Sequence, residues 1–134
     1  MKNTNIAQSY KSSERARKQR KYRALAPIHS RHEMMSSNLA KDLRKKYNRR
    51  GFSLIKGDTV RIMRGQFAGQ KGKVVIVNMQ KLKIYIEGIQ RNKRDGTKVN
   101  VPIDPSNVQI IELKLDDKKR INSLNKKKSG GISA

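Results

Sequence analysis

Residues 58–77 read DTVRIMRGQFAGQKGKVVIV, and this stretch decides the fold. Apolar residues alternate with other residues at Val60 and Ile62 before its glycine-rich centre, and again at Val75 and Val77 after it. A period of two is typical of strands with one buried face. The stretch therefore predicts two half-buried strands joined by a loop.

The centre of the stretch carries three glycines within eight residues, Gly65, Gly69 and Gly72. Glycine adopts positive φ angles readily and leaves no side chain in the way of a close partner, so we expect these positions to serve one of those two purposes. The charged side chains around them are all cationic, namely Arg64, Lys71 and Lys73. A plain barrel hairpin with merely permissive glycines is the alternative interpretation.

The spacing V-x-I-x-x-G-x-x-x-G-x-x-G-x-V over residues 60–74 resembles the KOW motif. This resemblance implies a small SH3-like barrel of the kind that sits on RNA or on the transcription machinery. The expected fold is therefore mainly β. We predict a KOW SH3-like barrel at residues 51–113, a basic helical or extended N-terminal arm at residues 1–50, and a basic C-terminal helix and tail at residues 114–134.

Composition indicates a polyanionic partner. The 134 residues include 33 Lys and Arg against 10 Asp and Glu, a formal net charge of +23. Nucleic acid is the commonest partner of so basic a chain. An anionic membrane competes with it, but no apolar run approaches the ~18 residues of a membrane span, and no secretory signal begins the chain. The chain has no cysteine, which excludes disulfides and thiol catalysis and favours a reducing compartment.

The arm is the most cationic part of the chain, with 15 basic and 3 acidic residues among residues 1–50. Because it is poor in apolar residues, we expect it to lack a core of its own and to become ordered on RNA. Ser12-Ser13-Glu14 is predicted to cap a basic helix over residues 15–23. Pro27 is predicted to break that helix.

A second helix is predicted in the arm after Ser36-Ser37-Asn38, which supply its cap. Leu39, Leu43 and Tyr47 are spaced by four and form a narrow apolar stripe, which we expect to pack on the barrel. This arrangement would point the basic residues of the opposite face outward, namely Arg44, Lys45 and Lys46.

His29 and His32 are three residues apart and could share one helix face. Only Glu33 lies nearby as a third ligand, so we do not expect a metal site. Imidazoles that stack on RNA or bond to it, and simple surface residues, are the two interpretations that remain.

The other barrel strands are predicted from alternation and turn residues. Leu82, Ile84 and Ile86 form the core face of one strand, and Asp95-Gly96 is a strong hairpin signal. Pro102 removes a ladder donor, so the strand around it should be an edge. Val108 and Ile110 are expected to close the barrel, and Asp116-Asp117 to cap a last basic helix.

Several more blocks carry a closer resemblance. They are a Pro-x-His stretch, MSSNL, LAKDLRKKYN, IYIEGIQRNKRDGTKVNVPIDPSNVQI and LKLDDKKR. Over residues 26–120 they resemble the KOW protein of the large ribosomal subunit, the family called L-twenty-six in eukaryotes and L-twenty-four in bacteria. The resemblance implies a cytoplasmic ribosomal component that contributes to subunit assembly. Its barrel would bind large-subunit ribosomal RNA near the peptide tunnel exit, beside neighbouring ribosomal proteins.

The candidate RNA-binding residues are cationic and aromatic side chains of the arm, together with cations and loop glycines of the barrel. In the arm they are Arg15, Arg17, Lys18, Arg20, Lys21, Tyr22, Arg23, His29, Arg31, His32, Arg44, Lys45, Lys46, Arg49 and Arg50. In the barrel they are Arg64, Gly65, Gly69, Lys71, Lys73, Lys81, Lys83, Arg91 and Arg94. We expect no catalytic residue, cofactor, metal or small-molecule substrate, because no triad, Walker lysine or paired carboxylate with apolar walls stands out.

Two other functions stay open at this point. A KOW transcription-elongation module would bind RNA polymerase and nascent RNA, but it would need a polymerase-binding domain before its KOW motif. A free RNA chaperone would differ from an integrated ribosomal protein in how it responds to high salt. In the ribosomal interpretation, we expect the arm to supply most of the salt-dependent affinity and the rigid barrel to choose the site.

Overall fold

The computed structural model describes residues 12–126. Its helices are α1 (Ala16–Leu25), α2 (Ile28–Met34), α3 (Lys41–Tyr47) and α4 (Lys118–Asn125). Its strands are β1 (Ser36–Leu39), β2 (Gly51–Ser53), β3 (Thr59–Ile62), β4 (Lys71–Asn78), β5 (Lys83–Ile86), β6 (Gln90–Asn92), β7 (Lys98–Asn100) and β8 (Val108–Glu112). A 3₁₀ turn, Pro105–Asn107, leads into β8.

Six strands form one strongly curved sheet in the order β2-β1-β8-β3-β4-β5. All neighbours are antiparallel except β1 and β8, which run parallel with Asn38 opposite Gln109. Ile84 of β5 exchanges both backbone hydrogen bonds with Ile103, which carries the ladder beyond the last strand. The separate ribbon β6–β7 continues from that end of the sheet. The prediction of a mainly β, SH3-like barrel with basic extensions is confirmed.

The core is a single apolar cluster inside the curved sheet. The alternation predicted for β5 and β8 is confirmed, because Ile84, Ile86, Val108 and Ile110 are all buried. The cluster contains fully buried side chains from Met35, just before β1, to Ile110 in β8. The core therefore depends on segments that are far apart in sequence.

Residues 36–39 were expected to open a helix, and this prediction is wrong. They form β1, which lies between β2 and β8, and the helix starts only at Lys41 with Ala40 as its N-cap. Leu39 is completely buried, and its neighbour in the sheet is Ile110. The sheet thus recruits a segment that the expected boundary at residue 51 had assigned to the arm, because its apolar side chains fill the centre of the barrel.

Of the two predicted core positions on β4, one is right and one is wrong. Val77 is partly buried and packs against the core cluster, whereas Val75 is 38 % exposed and Val74 is buried in its place. The pairing with β5 shifts between Val74 and Ile76, so that Val74 faces Ile86 and Ile76 faces Tyr85. A bulge adds one residue to a strand and moves the following side chains to the other face. Alternation alone cannot show where a bulge lies.

The C-terminal helix is attached to the barrel by a buried ion pair. The guanidinium of Arg120 donates to both carboxylate oxygens of Asp58, each at 2.7 Å. Asp117 is the N-cap of α4, and its carboxylate accepts from the backbone N–H of Lys119 at 2.9 Å, as the sequence predicted. The predictions for residues 1–11 and for the tail at 127–134 lie outside the described residues.

The turn of the β6–β7 ribbon is held by Asp95, and the Asp95-Gly96 prediction is confirmed. Its carboxylate accepts from the Thr97 hydroxyl at 2.7 Å and from the Thr97 backbone N–H at 3.0 Å. These bonds, the hydroxyl first, hold the pKa of Asp95 below its usual value. The ionised carboxylate therefore stabilises the turn at pH values above the ordinary carboxyl pKa. That contribution is lost as the pH falls through the lowered pKa.

We expect Thr97→Val to raise the pKa of Asp95 toward its ordinary value, because the substitution removes the donor hydroxyl and keeps the side-chain shape. An NMR titration of the Asp95 carboxyl carbon measures this directly. Thr97→Ser keeps a hydroxyl and should keep the lowered pKa. If the valine and serine variants titrate alike, the hydroxyl does not hold the turn.

Candidate RNA interface

The outer surface of β3 and β4 carries a compact group of cations. Because Val60 and Ile62 point inward, Arg61 between them faces solvent. Arg61 lies directly opposite Lys71 in the sheet register. Thr59 lies opposite Lys73 in the same ladder, two residues further along both strands.

Arg61 and Lys71 form a like-charge pair across the ladder. Opposite residues of an antiparallel pair have Cβ atoms only about 4.5–5.5 Å apart, and like charges at this spacing destabilise the sheet. The Arg61 guanidinium donates to the Gln109 side chain at 2.7 Å, on the side away from Lys71. Neither cation has a carboxylate partner among residues 12–126. A polyanion bound on this face would remove the repulsion.

The glycine loop extends this face beyond the strand ends. Gly65 and Gly69 have φ angles of +94° and +87°, and no atom would lie within 4 Å of a Cβ on either. Phe67 between them packs against the core and holds the loop down. The expectation of positive φ is therefore confirmed for these two glycines, and their backbone is open to a close partner. Arg64 beside them is exposed.

Gly72 differs from the other two glycines, so the expectation for it is only partly right. Its φ is ordinary, but a Cβ would lie 2.6 Å from Ile86 Cγ2 and 2.7 Å from the carbonyl oxygen of Glu87. Gly72 therefore serves the packing of β4 on β5, not the approach of RNA.

The β6–β7 ribbon is a second cationic surface. Every residue from 90 to 100 is exposed, and the only acid among them is Asp95, which is bonded to Thr97. The ribbon presents four cationic side chains: Arg91, Lys93, Arg94 and Lys98. A groove along it is lined by these strands and by Val101 and Pro102. Arg91 and Arg94 were expected in the interface, and both are placed where RNA could reach them.

Helix α1 is a third cationic surface. None of its residues is buried, and it has no acid in its first turn. It ends at Leu25, before Pro27, as predicted, but it begins at Ala16 with Arg15 as its N-cap and no side-chain cap bond, so the predicted cap at Ser12-Ser13-Glu14 is wrong. Most candidates in or beside it are exposed: Arg15, Arg17, Arg20, Lys21 and Arg23; Lys18 and Tyr22 are half-exposed.

The two histidines lie on α2, where both are exposed. Within residues 12–126 no cluster of three or more His, Asp or Glu side chains could hold a metal ion.

Five of the predicted RNA-binding cations also bond within the protein, and one of them is Arg20, whose Nε donates to the Ala16 carbonyl at 3.4 Å. The Arg31 guanidinium donates to the Ala24 carbonyl at 2.7 Å, and the Arg44 Nε donates to the Leu39 carbonyl at 2.7 Å. Arg49 reaches the Lys126 carbonyl at 2.7 Å. Lys83 forms an ion pair with Asp104 at 2.7 Å. The expectation that Arg44 points outward is therefore only partly right, since the side chain is half-exposed and its Nε fastens α3 to the end of β1.

The remaining predicted residues are spread around the barrel. Lys45, Lys46 and Arg50 are exposed on and after α3, where the ammonium of Lys46 lies 5.3 Å from the Tyr47 ring centroid. Lys81 is exposed in the turn before β5. Arg61, Lys93 and Lys98 were missed by the sequence reasoning. Only Arg61 had a usable signal, since it alternates with Val60 and Ile62 and so must face outward.

The described surface thus carries exposed cations on several faces, and a polyanion could contact more than one of them. The Gly69 N–H is already bonded to the Ile62 carbonyl at 2.8 Å, so the groups suited to phosphate oxygens are the guanidinium groups of Arg61 and Arg64 beside this open backbone. Among residues 12–126, no helix is both long and apolar enough to cross a membrane.

A small KOW-type barrel with cationic helices on either side is the class of protein that this fold and surface define. The chain belongs to the family of ribosomal proteins that comprises L26 of eukaryotes and its archaeal counterpart L24, and it matches this family over residues 13–127. This is a family of ribosomal proteins and not of enzymes.

Two archaeal relatives show how far the similarity extends. The chain is 44 % identical over 115 residues to "Large ribosomal subunit protein uL24" of Methanosphaera stadtmanae, an alignment that covers 86 % of this chain and 98 % of the relative. It is 48 % identical over 108 residues to the protein of the same name from Methanoculleus marisnigri, covering 81 % and 89 %.

Proposed function

We propose that this chain is a structural constituent of the large ribosomal subunit that binds and stabilises large-subunit ribosomal RNA. The observation that carries the proposal is the β3–β4 face, where Arg61 and Lys71 are held opposite each other without a carboxylate partner. Its relatives are named as large-subunit proteins, which supports the same function.

Several finer features belong to this proposal. The barrel binds rRNA near the exit of the peptide tunnel, beside neighbouring large-subunit proteins, in the cytoplasmic ribosome. The basic helices neutralise phosphates of other rRNA segments, so the protein contributes to assembly of the subunit, in the nucleolus if the source is a eukaryote. The three separate cationic surfaces support this proposal, because one rigid protein can then bridge several RNA segments.

A KOW transcription-elongation module is not favoured. Residues 12–50 form one basic helix, a second helix without net charge, a strand of the barrel sheet and a third short helix, and this segment contains no separate apolar core of a polymerase-binding domain.

The first test is co-sedimentation with large ribosomal subunits in high salt. An integrated constituent should stay with the subunit at salt concentrations that release loosely bound basic proteins, because many buried phosphate contacts must break together. Quantitative release at moderate salt would indicate a free RNA chaperone instead.

A second test compares how much the basic helix α1 and the barrel each contribute to the salt-dependent affinity for RNA. Deleting residues 1–50 would remove β1 and the buried Leu39, so the deletion must stop before Pro27. We expect deletion of residues 1–25, which carry eight cations, to lower the slope of log affinity against log salt more than replacing Arg61, Lys71 and Lys73 by Gln does. Each phosphate contact contributes roughly 0.7–0.9 to the slope. Binding to large-subunit rRNA fragments over a salt series gives both slopes.

The matched control for the barrel variant is the replacement of Lys83 by Gln. Lys83 is already paired with Asp104, so its loss should change the slope little. If the deletion leaves the slope unchanged while the triple variant removes most of it, α1 is not an RNA-binding element and the proposed division is wrong.

A further inference from the structure

A cleft opens between helix α1 and the 3₁₀ turn that precedes β8. Its volume is about 450 Å³, within the range of roughly 300–1,000 Å³ that ligand pockets occupy. Gln19 and Tyr22 lie three residues apart on one face of α1 and form one wall, with Arg23 beside them. Tyr22 is half-exposed, so part of its ring is open to a ligand.

The opposite wall comes from the barrel. Met34, Asp104, Pro105 and Ser106 line it. Pro105 is buried, and Met34 packs against the barrel core, so this apolar surface belongs to the rigid part of the molecule. The Pro105 carbonyl also accepts a hydrogen bond from the hydroxyl of the buried Ser37 in β1. The wall on the barrel side is thus held in place by the core, whereas the wall on the other side belongs to α1, which has no buried residues.

The polar groups of the cleft include two oriented acceptors. The Asp104 carboxylate receives the Lys83 ammonium on Oδ1 at 2.7 Å and remains 36 % exposed, which leaves Oδ2 for a ligand. The Gln19 side-chain amide donates to the Ser13 carbonyl at 3.2 Å, which leaves its oxygen as an acceptor. Arg23 adds a cation beside these groups.

We infer that this cleft holds a single unstacked base of RNA, with guanine preferred. The inference rests on the proposed function, because it presumes that RNA lies along α1. Unstacked bases are bound by stacking on aromatic rings and by hydrogen bonds to their edges, and Tyr22 with Met34 and Pro105 supplies an aromatic and apolar sandwich of that kind.

The acceptors decide which base is preferred. The Watson–Crick edge of guanine presents two neighbouring donors, the ring N1–H and the amino group, to the oxygens of Asp104 and Gln19. Adenine and cytosine place a ring acceptor beside their amino group, and uracil has one N–H between two carbonyls. Each of these three bases would set an acceptor against an acceptor in the cleft. Arg23 and the Ser106 hydroxyl remain available for the guanine carbonyl and the phosphate.

The test uses the full-length protein and short oligouridylates that carry one central guanosine, adenosine or cytidine. Fluorescence anisotropy measures their affinities at one fixed salt concentration. We expect the guanosine oligonucleotide to bind at least about fivefold more tightly than the other two. Tyr22→Ala should lower that affinity at least about fivefold, the smallest effect expected for the loss of one base–aromatic stack, whereas Tyr22→Phe should keep it. Asp104→Asn should abolish the preference for guanosine.

One matched variant controls for indirect effects. Tyr47→Ala removes a tyrosine of α3 that lies outside the cleft, and it should leave the guanosine preference intact. Equal affinity for the three oligonucleotides, together with no effect of Tyr22→Ala, would overturn the inference. In that case, salt-dependent binding of rRNA fragments would still support the proposed function. Failure to bind rRNA fragments at all would refute the proposed function itself.

Discussion

Asp58→Ala should lower the free energy of unfolding by about 3–5 kcal/mol, the usual cost of removing one partner from a buried ion pair. Asp58 has no exposed side-chain surface and Arg120 has 6 %. Without the carboxylate, the guanidinium would keep its charge inside the protein with only backbone carbonyls as partners. Urea denaturation followed by circular dichroism measures the loss.

The size of this effect follows from the number of elements that meet at Asp58. Its Oδ2 accepts from the Ile55 N–H at 3.0 Å, and its Oδ1 accepts from the Lys114 N–H at 2.9 Å. Arg120 donates in addition to the carbonyls of Lys114 and Ser53, and its guanidinium lies 5.4 Å from the Phe52 ring centroid. One carboxylate therefore joins the turn before β3, the end of β8 and helix α4.

The Lys83–Asp104 pair is the matched control for this prediction. Both of its side chains are about one third exposed, at 35 % and 36 %, so Lys83→Ala should cost no more than about 1 kcal/mol. The double variant Asp58→Leu with Arg120→Met should be more stable than Asp58→Leu alone, because no unpaired charge stays buried. If Asp58→Ala costs no more than Lys83→Ala, the buried pair does not attach α4 to the barrel.

Gly72→Ala should lower the free energy of unfolding by about 1–3 kcal/mol, the range for forcing extra atoms into a packed site. The new Cβ would lie 2.7 Å from the carbonyl oxygen of Glu87 and 2.6 Å from Ile86 Cγ2. The Glu87 backbone cannot move away easily, since its N–H donates to the Lys73 carbonyl at 2.9 Å in the same ladder. Thermal and urea unfolding both measure the change.

Gly69→Ala is the comparison that tests backbone conformation without packing, in the loop just before β4. Nothing lies within 4 Å of a Cβ there, so only the φ of +87° opposes alanine, at about 1–2 kcal/mol. The two variants should also differ in binding at equal folded concentration. Gly69→Ala should weaken RNA affinity because it covers open backbone, whereas Gly72→Ala should not. A loss of less than about 1 kcal/mol for Gly72→Ala would show that the close approach of Gly72 to Ile86 and Glu87 does not constrain the barrel.

Much of the barrel could be predicted from local pattern. The alternation of Ile84 with Ile86 and of Val108 with Ile110 identified core faces, because side chains in a strand point to opposite sides in turn. Asp95-Gly96 and Asp117 were recognised because a tight turn and a helix N-cap require particular residue types at single positions. The glycine spacing after Ile62 identified the hairpin for the same reason.

The errors arose where a distant segment determines the local structure. Ser36-Ser37-Asn38 has the composition of a helix cap, but β8 and β2 supply hydrogen bonds on both sides and draw these residues into the sheet. Val75 and Val77 suggest one regular alternation, but the pairing with β5 shifts between Val74 and Ile76, so that Val74 and Val77 face the core and Val75 does not. Neither partner strand is visible in the residues concerned, and propensity yields to tertiary pairing in both cases.

The candidate RNA interface was likewise predictable in part. The sequence by itself determined that the surface charge is positive, because a net charge of +23 must lie mostly in water or on a polyanion. Only the tertiary structure decided which cations are available. It placed Arg61 beside Lys71 and gave Lys83 a carboxylate partner, whereas Arg44 and Arg49 each donate one hydrogen bond to a backbone carbonyl. Charge is a property of each residue, whereas its availability depends on the acceptors that folding brings within reach of it.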